Sequence, residues 1–465
     1  MKKFDIVVLG AGPGGYVAAI KAAQLGKKVG VIEREYLGGV CLNVGCIPSK
    51  ALLRNAELAH LLRNEAKEFG ISFDNLQLDY GAAYKRSRQV SQRLTKGVGF
   101  LMKKNNIEVI NGEGKLTAPG KILVTLTDGG EEEVQAQDII LATGAQPTVI
   151  PGMEPDGTKI LDYKHAILAE SLPKSAVIIG GGAIGIEFAT VWSGYGVEVS
   201  VVEMLPHILP NEDEEAAAEL AKALKKRGVK VHAGTKVKSV EATETGTKVL
   251  IESEKGEKTL EAEVTLVAVG FKPNSKGIGL EEVGVETDKR GFVVVDERMQ
   301  TNVPGIWAIG DLTGKLLLAH TASTMGIICA ENIAGKEPRT LDYRMIPRAT
   351  YSSPQVASFG YTEAQAKEAG FAVKVGKFNF QANGKALGLG EYQGWAKIIT
   401  DEKYGEILGA TIVGPDASEL LPELVLAQAN ELTVEEIAHA VHAHPTLAEA
   451  VLEAAEAALG SAIHS

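Results

Sequence analysis

The chain has 465 residues, a formal net charge of −11, three cysteines and 45% hydrophobic residues. That length suggests two to four domains. The negative balance argues against nucleic acid or an anionic membrane as main partner, and so few cysteines exclude the disulfide framework of a secreted domain. No apolar run is long enough for a transmembrane helix. Asp5 and the glycines from Gly10 onward break the faintly signal-like N-terminus too early for a leader, so a cytoplasmic location is expected.

Phe4 to Leu9 reads as a short apolar strand. Gly10-Ala11-Gly12-Pro13-Gly14-Gly15 follows, matching GxGxxG at Gly10, Gly12 and Gly15. A small-residue helix (Tyr16 to Leu25), a strand (Lys28 to Ile32) and Glu33 complete the pattern. This is a dinucleotide fingerprint. Its glycines allow a tight turn and close approach to a pyrophosphate, the helix N-terminus receives phosphate, and the acid takes ribose hydroxyls.

Next comes Gly38-Gly39-Val40-Cys41-Leu42-Asn43-Val44-Gly45-Cys46-Ile47-Pro48-Ser49-Lys50, before a helix expected from Ala51 to about Leu62. In a regular helix, residues five apart are separated by roughly 7.5 Å along the axis alone, whereas a disulfide wants Cα atoms roughly 4.4–6.8 Å apart. A bond between Cys41 and Cys46 therefore requires a looped or tightly turned segment, which Gly38, Gly39 and Gly45 permit. Cys46 would lie beside a helix N-terminus, which favours a thiolate. On the pair alone, a redox disulfide and two inert buried thiols both stand.

The fingerprint then repeats. Ser175 to Ile179 is a strand, Gly180, Gly182 and Gly185 carry the motif, and Glu203 follows the next strand. Gly10 to Gly180 and Glu33 to Glu203 are both 170 residues. Each copy continues into a β-rich stretch and closes alike, Ile139–Gly144 answering Thr265–Gly270. Glu33 to Gly144 spans 111 residues and Glu203 to Gly270 only 67, so the first copy carries 44 more. The cysteine segment lies in that excess. A nucleotide-binding module was duplicated, and one copy gained a redox insert. Glu203 predicts NAD over NADP, because an acid there repels a 2′-phosphate and Met204-Leu205-Pro206 offers no Arg to hold one. Two nucleotide sites and a cysteine pair suggest an electron relay, although the glycines alone do not say which copy holds which nucleotide.

Gly291 to Asp311 reads as two further strands, and Ala319 to Ala334 as a helix. From about Leu341, strands (Ala396–Thr400, Glu406–Val413) alternate with helices (Ala417–Asn430, Val434–Ala440, Thr446–Ala458) in a separate α+β domain with surface to bury against a second subunit. In His442-Ala443-His444-Pro445-Thr446-Leu447-Ala448-Glu449, Pro445 suits a helix start. His444 would then cap the last helix, with Glu449 reaching back to one ring nitrogen and the other left free as a base. The bland reading is a surface histidine beside a solvated glutamate.

Taken together, GAGPGGYVAAI, GGVCLNVGCIPSKALL, ATGAQP, GGGAIGIEFA, GIWAIGD, LLLAH and HAHPTLAEA resemble the class I pyridine nucleotide-disulfide oxidoreductase family of flavoproteins, over essentially the whole chain. The closest resemblance is to its dihydrolipoyl-oxidising, NAD-dependent members. It implies two Rossmann-like α/β domains, for FAD and NAD, and a C-terminal α+β dimerisation domain. The bounds would be 1–147 (FAD, first part), 148–273 (NAD), 274–340 (FAD/central, second part) and 341–465 (interface). Gly10, Gly12, Gly15, Glu33, Lys50, Gly114, Thr143, Gly144, Gly310, Asp311 and Ala319 fall to FAD. Gly180, Gly182, Gly185, Glu187, Glu203 and Gly270 fall to NAD. Glu187 also matches the partner of Lys50 near the flavin ring. The resemblance makes Cys41–Cys46 the redox disulfide, with Cys46 against the flavin and Cys41 exchanging with substrate. It makes His444 the base and Glu449 its orienting carboxylate, supplied across a homodimer. The implied partners are lipoyl domains and the acyltransferase subunit of 2-oxoacid dehydrogenase complexes, or the glycine cleavage system. Cys329 matches nothing and is expected in the core.

Val40 stands where a Thr is frequent, and Ala448 where a Ser is; both remove hydroxyls that could tune rates. Glu203 argues against a glutathione-reductase type, which would prefer NADP. The missing C-terminal cysteine pair argues against a mercuric-reductase type.

Overall fold

A computed structural model describes residues 2–337 and 339–464 of the chain. They fall into two compact units. The first takes residues up to Ala51, Gly81–Thr148 and Gly270–Tyr343; the second takes Leu52–Tyr80, Val149–Val269 and the chain from Arg344 onward.

In the first unit, β1 (Lys2–Leu9) lies between two parallel neighbours, β2 (Val29–Glu33) and β5 (Glu131–Leu141). The strand β3 (Glu108–Ala118) extends the sheet beyond β2, and Ile306–Ala308 extends it beyond β5. An antiparallel meander runs from β3 through β4 (Lys121–Leu126) to β5. The central strands read as unbroken apolar runs because both faces are covered; Ile6, Val7 and Val8 are fully buried. The helix α1 (Pro13–Gln24) packs on the helix Ala319–Ile333 through small residues. A Cβ on Gly326 would lie 2.6 Å from the Gly14 carbonyl oxygen, so glycine is required there. This contact seats the first glycine turn. Cys329 is fully buried in the same apolar cluster.

The second unit holds the repeated module. Its parallel strands run in the order Lys230–His232, Glu198–Val202, Ser175–Ile179, Val264–Val267, Ile160–Leu161, with the helix Ala183–Tyr195 after the glycine turn. The meander here (Lys236–Ala242, Thr247–Ser253, Gly256–Ala262) is a separate sheet. The same unit contains a five-stranded antiparallel sheet ordered Arg348–Thr350, Gln355–Gly360, Ile407–Gly414, Trp395–Asp401, Val373–Asn379. The helices Ala417–Ala429 and Glu449–Leu459 share an apolar core with it around Phe359, Phe380 and Ile412. Acids from Glu212 onward join the two parts: buried Lys397 lies 2.6 Å from Asp213 and 2.8 Å from Glu215, and Arg348 lies 3.1 Å from Glu212.

Three local expectations need correction. The helix after the cysteines begins at Cys46, not Ala51. The last helix begins at Glu449, not Thr446, so His444 precedes it on a loop instead of capping it. Of the two strands read into Gly291–Asp311, only Ile306–Ala308 forms. Asp296 explains the loss, because its Oδ1 accepts from the N–H groups of Arg298 and Gln300, both at 2.8 Å, closing a turn where a strand was expected. Among the described residues no helix is long and apolar enough to cross a membrane.

Candidate active site

Both cysteines lie on helices. A short one, α2 (Gly39–Asn43), carries Cys41, and α3 (Cys46–His60) begins at Cys46. Left-handed Gly38 (φ 85°) and Gly39 (φ 56°) open the turn. A Cβ on Gly39 would meet the Cα of Gly12 at 2.7 Å, so the redox turn rests directly on the first glycine loop. Asn43, between the cysteines, ties the turn together. Its amide donates to the carbonyls of Leu37 (3.0 Å) and Gly39 (2.9 Å), and its Oδ1 accepts from Thr95 (3.1 Å). Arg88 donates to its backbone carbonyl at 2.6 Å. Arg88 and Thr95 stand on the long helix α4 (Tyr80–Lys104). The sequence reading missed Asn43, because its partners lie as far as 52 residues away.

Cys41 and Cys46 are both half-buried thiols. The hydrogen bond with Cys46, and then burial, push the Cys41 thiol well up, with Lys50 pulling weakly the other way. Negative charge in the reduced pair is thus disfavoured at Cys41, while Cys46 stands at a helix N-terminus that stabilises an anion. Tyr16 also feels Cys41: burial raises its hydroxyl, and the neighbouring thiol adds to the shift.

The two glycine turns share one hydrogen-bond frame. Glu33 accepts from Ala11 N–H at 2.7 Å and Glu35 N–H at 2.8 Å; Glu203 accepts from Gly181 N–H at 2.7 Å and Leu205 N–H at 2.8 Å. Gly10 N–H donates to Ile32 O at 2.8 Å, and Gly180 N–H to Val202 O at 2.9 Å. The glycines divide alike in both copies. A Cβ on Gly10 or Gly180 would strike the carbonyl of Ala142 or Ala268, and on Gly15 or Gly185 the carbonyl of Gly10 or Gly180. A Cβ on Gly12 or Gly182 would meet no protein atom within 4 Å. Protein packing explains the outer glycines. The open face at the middle one fits a bound pyrophosphate.

Asp311 supports the same reading in the first unit. Among the described residues its carboxylate has no hydrogen-bond partner, and burial pushes it up to about 6. Such a group is stabilised by a ligand hydroxyl. Gly310 (φ 68°) precedes it, and Ala319 opens the helix packed on α1. Thr143 and Gly144 are clasped by Asn274, through Thr143 Oγ1 to Asn274 O (2.9 Å), Asn274 Nδ2 to Thr143 O (2.8 Å) and Asn274 N–H to Gly144 O (3.0 Å). Packing accounts for Gly114, where a Cβ would lie 2.6 Å from the Leu9 side chain. Lys50 belongs to the first unit and Glu187 to the second, where Glu187 is buried and accepts from Tyr351 N–H at 3.2 Å. Gly270 falls in the first unit, apart from the other residues expected at NAD; its carbonyl accepts from Thr148 N–H at 2.9 Å.

In the second unit, His444 Nδ1 lies 2.8 Å from Glu449 Oε1, and Thr446 N–H donates to Oε2 at 2.7 Å. The His444 side chain is 78% exposed, so its other nitrogen is open. Partial burial works against the Glu449 charge, but the Thr446 N–H and the His444 ring outweigh it and hold the carboxyl below its ordinary range. His442, which the sequence reading left without a role, is held at both nitrogens, by Ala440 O (2.9 Å) and Glu423 (3.0 Å).

Two dinucleotide frames, a dithiol turn seated on one of them and a histidine–carboxylate pair define a nucleotide-dependent disulfide oxidoreductase. Residues 4–326 match the family model described as pyridine nucleotide-disulphide oxidoreductase, and residues 346–455 match its dimerisation domain. The chain belongs to this family, whose cofactors are FAD and NAD. It is 51% identical to dihydrolipoyl dehydrogenase of Mycobacterium leprae over 470 residues, covering 100% of both chains. It is 50% identical to that of Corynebacterium glutamicum over 466 residues, covering 99% of both. Among solved structures it is similar to LpdA of Mycobacterium tuberculosis (TM-score 0.91, 29% identity, 98% and 99% of the two chains covered). It is also similar to the HOCl-induced flavoprotein disulfide reductase RclA of Escherichia coli (TM-score 0.85, 27% identity, 96% and 98% covered).

Proposed function

We propose that this chain is a dihydrolipoyl dehydrogenase, oxidising dihydrolipoyl groups on carrier proteins with NAD+. The observation that carries the reading is the Cys41–Cys46 turn packed on the first glycine loop. Whole-length identity of about half to dihydrolipoyl dehydrogenases supports this substrate over that of another flavin disulfide reductase, where the likeness to RclA stops at 27%.

Gly10, Gly12, Gly15, Glu33, Asp311 and the Thr143–Gly144 turn would hold FAD, with Lys50 beside the redox pair. Gly180, Gly182, Gly185 and Glu203 would hold NAD. Bound together, these cofactors supply the hydride chemistry that returns the cysteine pair to a disulfide. The residues of the chain handle the sulfur and the protons. A dihydrolipoyl thiol gives its proton to His444, and its sulfur attacks Cys41 Sγ. The Cys41–Cys46 bond breaks, and Cys46 leaves as a thiolate. The second substrate thiol displaces Cys41, which takes the proton held by His444; lipoyl disulfide leaves and the second thiol proton goes to solvent. Glu449 fixes the orientation of the ring.

The working unit is a homodimer in the cytoplasm, with His444 and Glu449 of the partner subunit serving each cysteine pair. Its partners are lipoyl domains and the acyltransferase core of a 2-oxoacid dehydrogenase complex. The test is the initial rate of NADH formation from holoenzyme, NAD+ and dihydrolipoamide, with an NADP+ control and Cys46→Ser alongside. A fast rate with NAD+ alone, lost in Cys46→Ser, is expected. No rate in a flavin-loaded protein that NADH reduces would move the substrate to another disulfide.

A further inference from the structure

The helix α4 breaks the charge pattern of the chain. Its 25 residues hold seven Lys or Arg and no Asp or Glu, in a protein with a net charge of −11. Lys85, Arg86, Arg93, Lys96, Lys103 and Lys104 are all exposed. At about 100° per residue they share one face, opposite buried Ser87, Ser91, Val98 and Met102. From Lys85 to Lys103 the face spans about 27 Å at roughly 1.5 Å per residue. Among the described residues, Lys85, Arg93, Lys96, Lys103 and Lys104 make no ion pair. Phe100, 65% exposed, lies among them. The opposite side of the helix braces the redox turn through Arg88 and Thr95, both bonded to Asn43.

We propose that the basic face of α4 is the docking surface for the acidic protein domain that carries the dihydrolipoyl arm. This rests on the dihydrolipoyl reading of the site. A small free dithiol has no use for six cations spread over such a length, whereas a carrier domain with complementary charge is drawn in and oriented by them. Phe100 supplies an apolar contact within the charged field. Because α4 packs on the turn holding Cys41 and Cys46, a carrier seated on it delivers its arm beside the reacting sulfurs. Nucleic acid and anionic membrane would also meet these cations, but neither carries a dithiol for the redox turn that the helix braces.

The experiment uses holoenzyme and the triple variant Lys85→Glu/Lys96→Glu/Lys103→Glu, with Lys→Gln at the same positions as a milder companion. Two substrates are compared, free dihydrolipoamide and a purified, reduced lipoyl-bearing domain of net negative charge, each at low and at high salt. The expected result is a fall of about ten-fold or more in kcat/KM for the carrier at low salt, shrinking as salt screens the field, with free dihydrolipoamide unchanged. The Gln variant should fall between. An unchanged carrier rate, or an equal loss with both substrates, overturns the docking surface and leaves the substrate assignment intact. Absence of turnover of free dihydrolipoamide by the wild type removes the substrate assignment and the docking proposal with it. Lysine-dependent binding of duplex DNA or anionic vesicles, with carrier kinetics unaltered, would hand this face to another partner.

Discussion

His444 and Glu449 form a hydrogen-bonded pair at 2.8 Å in which the carboxylate is itself pinned by the Thr446 N–H. The glutamate is ionised above the ordinary carboxyl range, and the support it gives this loop is lost as pH falls through its depressed value. Glu449→Gln should therefore lower kcat with dihydrolipoamide by about ten- to a hundred-fold, less than the largest effects of removing a general base. Reduction of the bound flavin by NADH should be unaffected. Stopped-flow measurement of the two half-reactions separates these, and a slowed NADH half-reaction would contradict the assigned role.

The glycines make a sharper prediction. Gly12→Ala should yield folded protein that binds FAD poorly, because the new methyl meets no protein atom but occupies the open face of the turn. Gly182→Ala should keep its flavin and raise the KM for NAD+ by about ten-fold or more, corresponding to roughly 1.4 kcal/mol. Gly10→Ala should fail to fold, since its methyl would strike the Ala142 carbonyl in a left-handed residue (φ 103°). Flavin absorbance, circular dichroism and KM together distinguish the three.

His60 makes part of the stability of the protein depend on pH. Burial first, then Arg227 and Arg63, hold its pKa down to about 4. Glu65, 3.5 Å away, is too weak to reverse this. The unfolded chain takes up a proton near pH 6.5 and the native one does not, so this contribution is present at neutral pH and lost between about 6.5 and 4. Lowering the pH from 7 to 5 should cost about 2 kcal/mol through this group. In His60→Gln that part of the loss should vanish from the urea-unfolding midpoints.

Lys397 is 3% exposed beside Asp213 at 7%, and its ammonium also lies 5.0 Å from the centre of the Trp395 ring. Lys397→Met should destabilise by about 3–5 kcal/mol, because it leaves a buried carboxylate unpaired. Adding Asp213→Asn removes that charge and keeps an acceptor for the Glu215 N–H, now 2.9 Å from Asp213. The double variant should recover much of the loss, read as thermal-inactivation half-life.

Features whose partners are near in sequence were legible. The strand–glycine–helix–strand–acid register depends on local turns, and Glu33 and Glu203 stand where that register puts them. The cysteine pair stood out through rarity, but its fold did not. Gly38 and Gly39 let the chain wind into α2, and Arg88 and Thr95 from a distant helix hold Asn43, so α3 starts five residues early. The last helix starts late because Glu449 turns both oxygens back to His444 and Thr446. His442 finds Glu423 19 residues away, beyond any local pattern. The cationic face of α4 was hidden by averaging, since a net charge of −11 says nothing about where seven positive charges collect.

The matched carboxylate bonds of Glu33 and Glu203 have an implication for how this architecture diversifies. FAD and NAD share an adenosine diphosphate half, and in the proposed reading the common frame would seat that shared half. What distinguishes the two tools begins just past the acid. After Glu33 the chain climbs into the turn that carries the sulfurs; after Glu203 it passes Met204 and Leu205 and returns to ordinary module. The two copies share the glycine turn and the acid and differ in the segment that follows the acid. Attempts to retool either half therefore have most room beyond Glu35 and Leu205, whose N–H groups close the frame on Glu33 and Glu203.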